Sequence, residues 1–228
     1  MQSLFEQFDR IIVLDTETSG LNFKHDRIIE LAAICCEMKS GNIEITSEMD
    51  DFIKLPDGWK LDEKIVELTH ITDEMLETEG ISSTESAKKF VAMLDGGRVL
   101  LIAYNAQFDM NYLFYFLHRE GLAEKLKGVK MLDALTVYKD RHDYPHKLEN
   151  AIVVYDLSDK VVNSHRAIDD TKALLEVLKE MSKELPDLSK YINLFGYNKK
   201  YGISGTKISS VTYKPQGYDR KQKLYDQE

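Results

Sequence analysis

"IIVLDTETSG", residues 11–20, runs four apolar side chains into Asp15 and Glu17 before turning at Ser19-Gly20. Four aliphatic residues in a row read as a strand buried on both faces, the kind that fills the middle of an α/β sheet. Such a strand has no packing reason to end in two acids. Burying one carboxylate is costly, and burying two together costs more. In an extended strand, positions i and i+2 share a face with Cα atoms about 6.5–7 Å apart. The two acids therefore either meet solvent at the strand end or bracket a cation.

Working outward, "RIIELAAICCEM" (27–38) and "NIEITSEMDDFIKL" (42–55) read as two further strands, joined by a hairpin signal at Ser40-Gly41-Asn42. "KLDEKIVELTHIT" is short and amphipathic. In "SSTESAKKFVAMLDGG", Ser82 and Glu85 have capping-box spacing and the glycine pair ends the helix. "RVLLIAY" (98–104) predicts a fourth strand that runs into the helix "NAQFDMNYLFYFLHREG". A short element at 130–133, helices at 134–140 and 147–155, and a long helix at 167–185 stopped by Pro186 complete the pattern. A hairpin-rich start followed by alternating strands and helices predicts an α/β domain with a mixed central sheet. We expect that domain to span residues 1–186. Residues 187–228 read as a tail or accessory segment, with tyrosines (Tyr191, Tyr197, Tyr201, Tyr213, Tyr218, Tyr225) interleaved with lysines.

Composition narrows the function. The net charge of −9 argues against a broad basic face for gripping nucleic acid, and it is unevenly spread. Residues 187–228 hold eight Lys/Arg against four Asp/Glu, a net +4, which leaves −13 for residues 1–186. No apolar run is long enough for a membrane span, and the first residues lack the basic and apolar regions of a signal peptide. Cys35 and Cys36 are adjacent in a strand and point to opposite faces, so they read as reduced, partly buried residues of a cytoplasmic protein.

Asp15 and Glu17 have company. Asp109 follows a buried strand by six residues and opens an apolar helix, where an acid also suits the macrodipole. In "HRAIDDTKALLEVLKEM", Thr171, Leu174, Leu175, Leu178 and Met181 form a stripe at helical spacing. Asp170 lies on that stripe and Asp169 faces away. An acid on a packed stripe needs a partner, and a metal ion is a good one. His165 sits just before the helix, where a loop would let its ring swing over the acids. If the strands are adjacent, the acids converge as hard oxygen ligands, which favour Mg²⁺ or Mn²⁺.

"DTETSGL" (15–21), "YNAQFD" (104–109) and "HRAIDD" (165–170) resemble, in order and spacing, the three motifs of the DnaQ-like, DEDDh-type 3′–5′ exonucleases. The chain is especially similar to the proofreading (epsilon) subunit of bacterial DNA polymerase III and to the exonuclease domain of the Gram-positive replicative polymerase; "ELTHITDEML" strengthens the comparison. The resemblance implies a ribonuclease-H-like mixed sheet flanked by helices. It implies two Mg²⁺ or Mn²⁺ ions held by Asp15, Glu17, Asp109 and Asp170, with His165 as general base. It also implies a terminal-nucleotide pocket drawing on Thr16, Thr18, Leu21, Thr69, Asn105 and Phe108. DNA 3′ ends, single-stranded or frayed, are the implied substrate and a DNA polymerase catalytic subunit the implied partner. A stand-alone RNA or oligonucleotide exonuclease and a non-catalytic polymerase-binding module are the alternative readings. Two positions depart from the family pattern: Tyr104 stands where His is frequent, and His70 where Gly is usual.

Overall fold

A computed structural model describes residues 1–217 and 222–227. The strands are β1 (Arg10–Thr18), β2 (Ile28–Lys39), β3 (Asn42–Phe52), β4 (Val99–Ala103), β5 (Lys130–Asp133), β6 (Leu194–Tyr197) and β7 (Thr212–Pro215). The helices are α1 (Gln2–Phe5), α2 (Glu63–Thr69), α3 (Asp73–Thr78), α4 (Ser83–Leu94), α5 (Ala106–Arg119), α6 (Ala134–Lys139), α7 (Leu148–Val154) and α8 (Ala167–Glu184).

Five strands form one sheet in the order β3-β2-β1-β4-β5. The hairpin strands β2 and β3 run antiparallel to their neighbours, while β1, β4 and β5 are mutually parallel. This is the mixed sheet flanked by helices that the sequence predicts, and its order puts the acid-bearing strand β1 at the centre. Alternation along β1 divides the core. Ile11 and Val13 pack with Ile34, Cys36 and the Leu174, Leu175 and Leu178 side of α8. Ile12 and Leu14 pack with Phe90 of α4 and Leu113 and Leu117 of α5. Helices thus cover both faces, as a parallel sheet centre requires. Both cysteines are free and buried.

Local chemistry explains most boundaries. Ser82 accepts from the Glu85 N–H at 3.2 Å, so the expected cap forms on its serine side. The amphipathic segment after β3 splits into α2 and α3, because Thr72 caps a new helix by accepting from the Met75 N–H. His70 sits between them at φ 60°, with its N–H on the Val66 carbonyl. That left-handed position is one a glycine occupies without strain.

The boundary expected at residue 186 does not mark the end of the packing. Leu188, Tyr191, Leu194 and Leu224 lie in the α8-side core, and Phe195 and Val211 lie in the other. The Tyr191 hydroxyl donates to Asp140 at 2.7 Å. Buried Arg141 holds the start of the segment through Asp187 and the Leu185 carbonyl. Strands β6 and β7 pair parallel to each other. The segment reads as a tail because its apolar residues stand singly among lysines and glycines, without a period. Tyr218, one of its interleaved tyrosines, lies outside the described residues.

Candidate active site

Asp15 and Glu17 both fall inside β1, two residues apart and on the face that packs against α8. Asp170 enters the same space from the first turn of α8 and is buried. Carboxylate oxygens of these three residues lie within 4.8 Å of one another. Asp109, in the first turn of α5, is buried outside that group of three and accepts a hydrogen bond from the Thr16 hydroxyl at 2.9 Å. Three motifs separated by more than a hundred and fifty residues therefore meet at the carboxyl end of the sheet's central strand, the place where open α/β sheets bind ligands.

The electrostatics show the cost of gathering them. Burial is the largest influence on each acid. It pushes Glu17 up to about 8, with Glu30, Asp170 and Asp109 adding to the rise. It raises Asp109 to about 7 against the opposing pull of the Thr16 hydrogen bond. Asp170 is raised to about 7 by burial and by neighbouring Asp169. Asp15 is driven well above its ordinary value by burial and then by Asp109, Glu17 and Asp170. Four carboxyls that resist ionisation together form a sink for positive charge, and all the donors are hard oxygens. That donor set fits Mg²⁺ or Mn²⁺.

Glu30 completes the site, and the sequence reading did not single it out. It is fully buried on β2, directly opposite Glu17 in the strand register. One oxygen accepts from Arg166 Nε at 3.0 Å and the other from the Ala167 N–H at 3.1 Å. The Arg166 guanidinium also lies 4.6 Å from the centre of the Phe52 ring. Glu30 thus fastens the N-terminus of α8, and with it Asp170, to the sheet. A lone acid within the apolar run "IIELAAICC" was the available signal, since a buried charge demands a partner.

His165 is exposed at φ 57°, two residues before α8, with no hydrogen-bond partner among the described residues. Its loop is tied to α8 by the two residues that precede it. Asn163 Nδ2 donates to Asp170 at 2.8 Å, and the Ser164 hydroxyl donates to Asp169 at 2.5 Å. Asp169 therefore has a structural task rather than simply facing solvent.

The residues expected to meet a nucleotide divide into two groups. Leu21 is 82% exposed at the turn after β1, and Asn105 is exposed in the left-handed conformation before α5. Phe108 is half-buried against Tyr112. In contrast Thr16, Thr18 and Thr69 are buried with their hydroxyls committed internally, to Asp109, the Gly20 carbonyl and the Ile65 carbonyl respectively. In each case the hydroxyl proton is spent on an internal acceptor, which fixes the side chain's rotamer. The Tyr104 hydroxyl donates to the His146 carbonyl at 2.8 Å, so it too is occupied. Asp133 caps α6 and also accepts from the Ala106 N–H at 3.0 Å, which steadies the turn that carries Asp109.

A cluster of four acids at the end of a mixed five-stranded sheet, with His165 exposed in the loop that leads into α8, is suited to metal-assisted hydrolysis. The chain belongs to the exonuclease family RNase_T, whose model matches residues 12–178. It is 31% identical over 197 residues to the PolC-type DNA polymerase III of Clostridium perfringens, covering 85% of this chain and 12% of that protein. Against the PolC-type enzyme of Halalkalibacterium halodurans it is 35% identical over 179 residues, 76% of this chain and 11% of the relative. The chain thus spans about an eighth of the length of these curated relatives. Among solved structures it resembles E. coli exonuclease I in complex with a dA16 oligonucleotide. The TM-score is 0.68 at 20% identity, covering 80% of this chain and 42% of the other. Exonuclease I from Methylocaldum szegediense gives the same TM-score at 19% identity over 78% of this chain and 41% of that one. Among the described residues, no helix is long and apolar enough to cross a membrane.

Proposed function

We propose that this chain removes nucleotides from DNA 3′ ends in a reaction dependent on two Mg²⁺ or Mn²⁺ ions, and that it proofreads for a DNA polymerase. The observation that carries the reading is the close set of Asp15, Glu17 and Asp170 carboxylates, with Asp109 beside it, all held at raised proton affinity. Asp15, Glu17 and Asp170 would hold the ions, with Asp109 completing the negative charge. When bound, such ions supply Lewis acidity to the scissile phosphate and its leaving oxygen.

The chain's own groups do the rest. His165 takes the proton of the attacking water, the role an imidazole beside a hydrolytic centre serves as general base. The tethers from Asn163 and Ser164 limit how far that ring can travel from the acids. Leu21 and Phe108 offer apolar surface to the terminal base, and Asn105 offers its amide to the sugar or phosphate. Glu30 keeps Arg166 and the first turn of α8 in register with β1. The likeness to PolC-type polymerases supports DNA as the substrate and a polymerase as the partner.

The test compares primer–templates with a matched or mismatched 3′ nucleotide, and an RNA oligomer, in Mg²⁺ and in EDTA. Faster removal of the mismatched nucleotide, with slower RNA cleavage and silence in EDTA, supports proofreading. Faster cleavage of RNA than of either DNA end would replace it with the RNA-trimming alternative.

A further inference from the structure

Trp59 is the chain's only tryptophan and lies in the loop between β3 and α2. The Arg27 guanidinium carbon sits 4.7 Å from its ring centre. The His25 imidazole stacks on it at 4.9 Å with the planes 23° apart. The stack does not end in the core, since the His25 side chain is 69% exposed. The turn that presents it is held from two sides. Arg27 donates to the His25 and Asp26 carbonyls, and Arg119 of α5 donates to the Phe23 and Lys24 carbonyls.

This ladder stands next to the acids. Arg27 faces Ser19 across the β1–β2 connection: the Ser19 N–H donates to the Arg27 carbonyl at 2.9 Å, and the Arg27 N–H donates to Ser19 Oγ at 3.0 Å. Ser19 is two residues beyond Glu17, about 7 Å further along an extended chain. Arg27, Lys54 and Arg119 line one open cleft of about 380 Å³ there, and exposed Lys24 adjoins His25. Two acids share this surface, Asp26 with an oxygen 3.1 Å from His25 Nδ1 and Glu120 in the cleft wall, against the four cations Lys24, Arg27, Lys54 and Arg119, a local excess of positive charge in a chain of net charge −9.

We propose that the Arg27–Trp59–His25 stack is a docking ledge for the single-stranded DNA immediately behind the terminal nucleotide. A base stacks on the open face of His25 while Lys24 and Arg27 meet the neighbouring phosphates. Single strands are held by this combination of π-faces and cations, without regard to sequence. The inference rests on the exonuclease reading of the acid cluster and extends it from the terminal nucleotide to the strand that follows.

The stack supplies its own probe. In full-length protein carrying Asp15→Asn, a long oligothymidylate should quench Trp59 fluorescence saturably, and thymidine monophosphate should leave it nearly unchanged. In otherwise wild-type protein, His25→Ala should raise KM for the long strand roughly 5- to 150-fold, the range for one lost stacking contact. The KM for a thymidine dinucleotide should move far less, and kcat for the long strand should hold. Trp59→Ala should act in the same way, with Trp59→Phe restoring most of the affinity. An unchanged long-strand KM in His25→Ala, or no quenching by the long strand, overturns the ledge. An equal loss on both substrates also overturns it, because the turn would then only shape the catalytic pocket. Failure of the wild type to cleave any oligonucleotide would sink the exonuclease reading instead, and the fluorescence titration would still report on the ledge.

Discussion

Ionisation of the acid cluster should govern the stability of the metal-free protein, with pH as the lever. Glu17 is held at about 8 against an ordinary 4.5. Asp109 and Asp170 stand at about 7 against 3.8, and Asp15 is shifted the same way. Between the ordinary and the raised values, the folded chain keeps protons that the unfolded chain has released. Stability is then complete below about pH 4 and is lost as pH climbs through 7 to 8. Each unit is worth about 1.4 kcal/mol, so Glu17 alone withdraws on the order of 5 kcal/mol once ionised. For a domain of this size that lowers Tm by on the order of 10 °C. Thermal melts in EDTA at about pH 5.5 and about pH 8 read the effect directly. The wild type should melt lower at the higher pH, and Glu17→Gln should flatten the slope. Mg²⁺ should restore the wild type at the higher pH by binding the folded state alone. A metal-free Tm that is flat or rises over this range would refute the reasoning.

Three further outcomes follow from the same geometry. Glu30→Ala strips Arg166 of its carboxylate and leaves the Ala167 N–H unpaired, so it should cost about 3 kcal/mol in a urea melt, with kcat falling more than KM as the first turn of α8 loosens. His165→Ala should lose roughly 10²–10⁴-fold in rate, the range for a missing general base, while calorimetric Mn²⁺ affinity stays at the wild-type level; lost Mn²⁺ binding would make His165 a ligand instead. Truncation after Pro186 removes Leu188, Tyr191, Leu194 and Phe195 from the two cores and should yield a protein without a cooperative melt by circular dichroism, whereas a stable and active 1–186 fragment would restore the earlier boundary.

The parts of the fold that the sequence disclosed are those with a strong period. Strand β1 and the stripe of α8 are apolar at regular spacing, so the acids that interrupt them stand out, and their convergence follows once the strands are ordered. Partnership across the sheet was not legible. Glu30 matters because it lies opposite Glu17 and under Arg166, a relation set by strand register and by a loop more than a hundred residues away. The internal bonds of the threonines were equally hidden. Their place in the motif suggests contact with substrate, but burial turns their hydroxyls towards Asp109 and backbone carbonyls. Residues after 186 gave no periodic signal, because each anchors singly, Tyr191 through Asp140 and Gln107 of α5 through the Thr206 carbonyl. That last bond fastens the C-terminal segment to the helix that carries Asp109.

The central claim is that Asp15, Glu17 and Asp170 hold the divalent ions that make this chain a 3′–5′ exonuclease. Its most direct test follows a 5′-labelled single-stranded DNA through digestion by the wild type and by Asp15→Asn, with the fold of each verified by circular dichroism. The account predicts a ladder shortening from the 3′ end in Mg²⁺, no cleavage in EDTA, and a folded but silent Asp15→Asn. Cleavage that persists in EDTA, or an Asp15→Asn rate within about tenfold of the wild type, a barrier change of only about 1.4 kcal/mol, would contradict it.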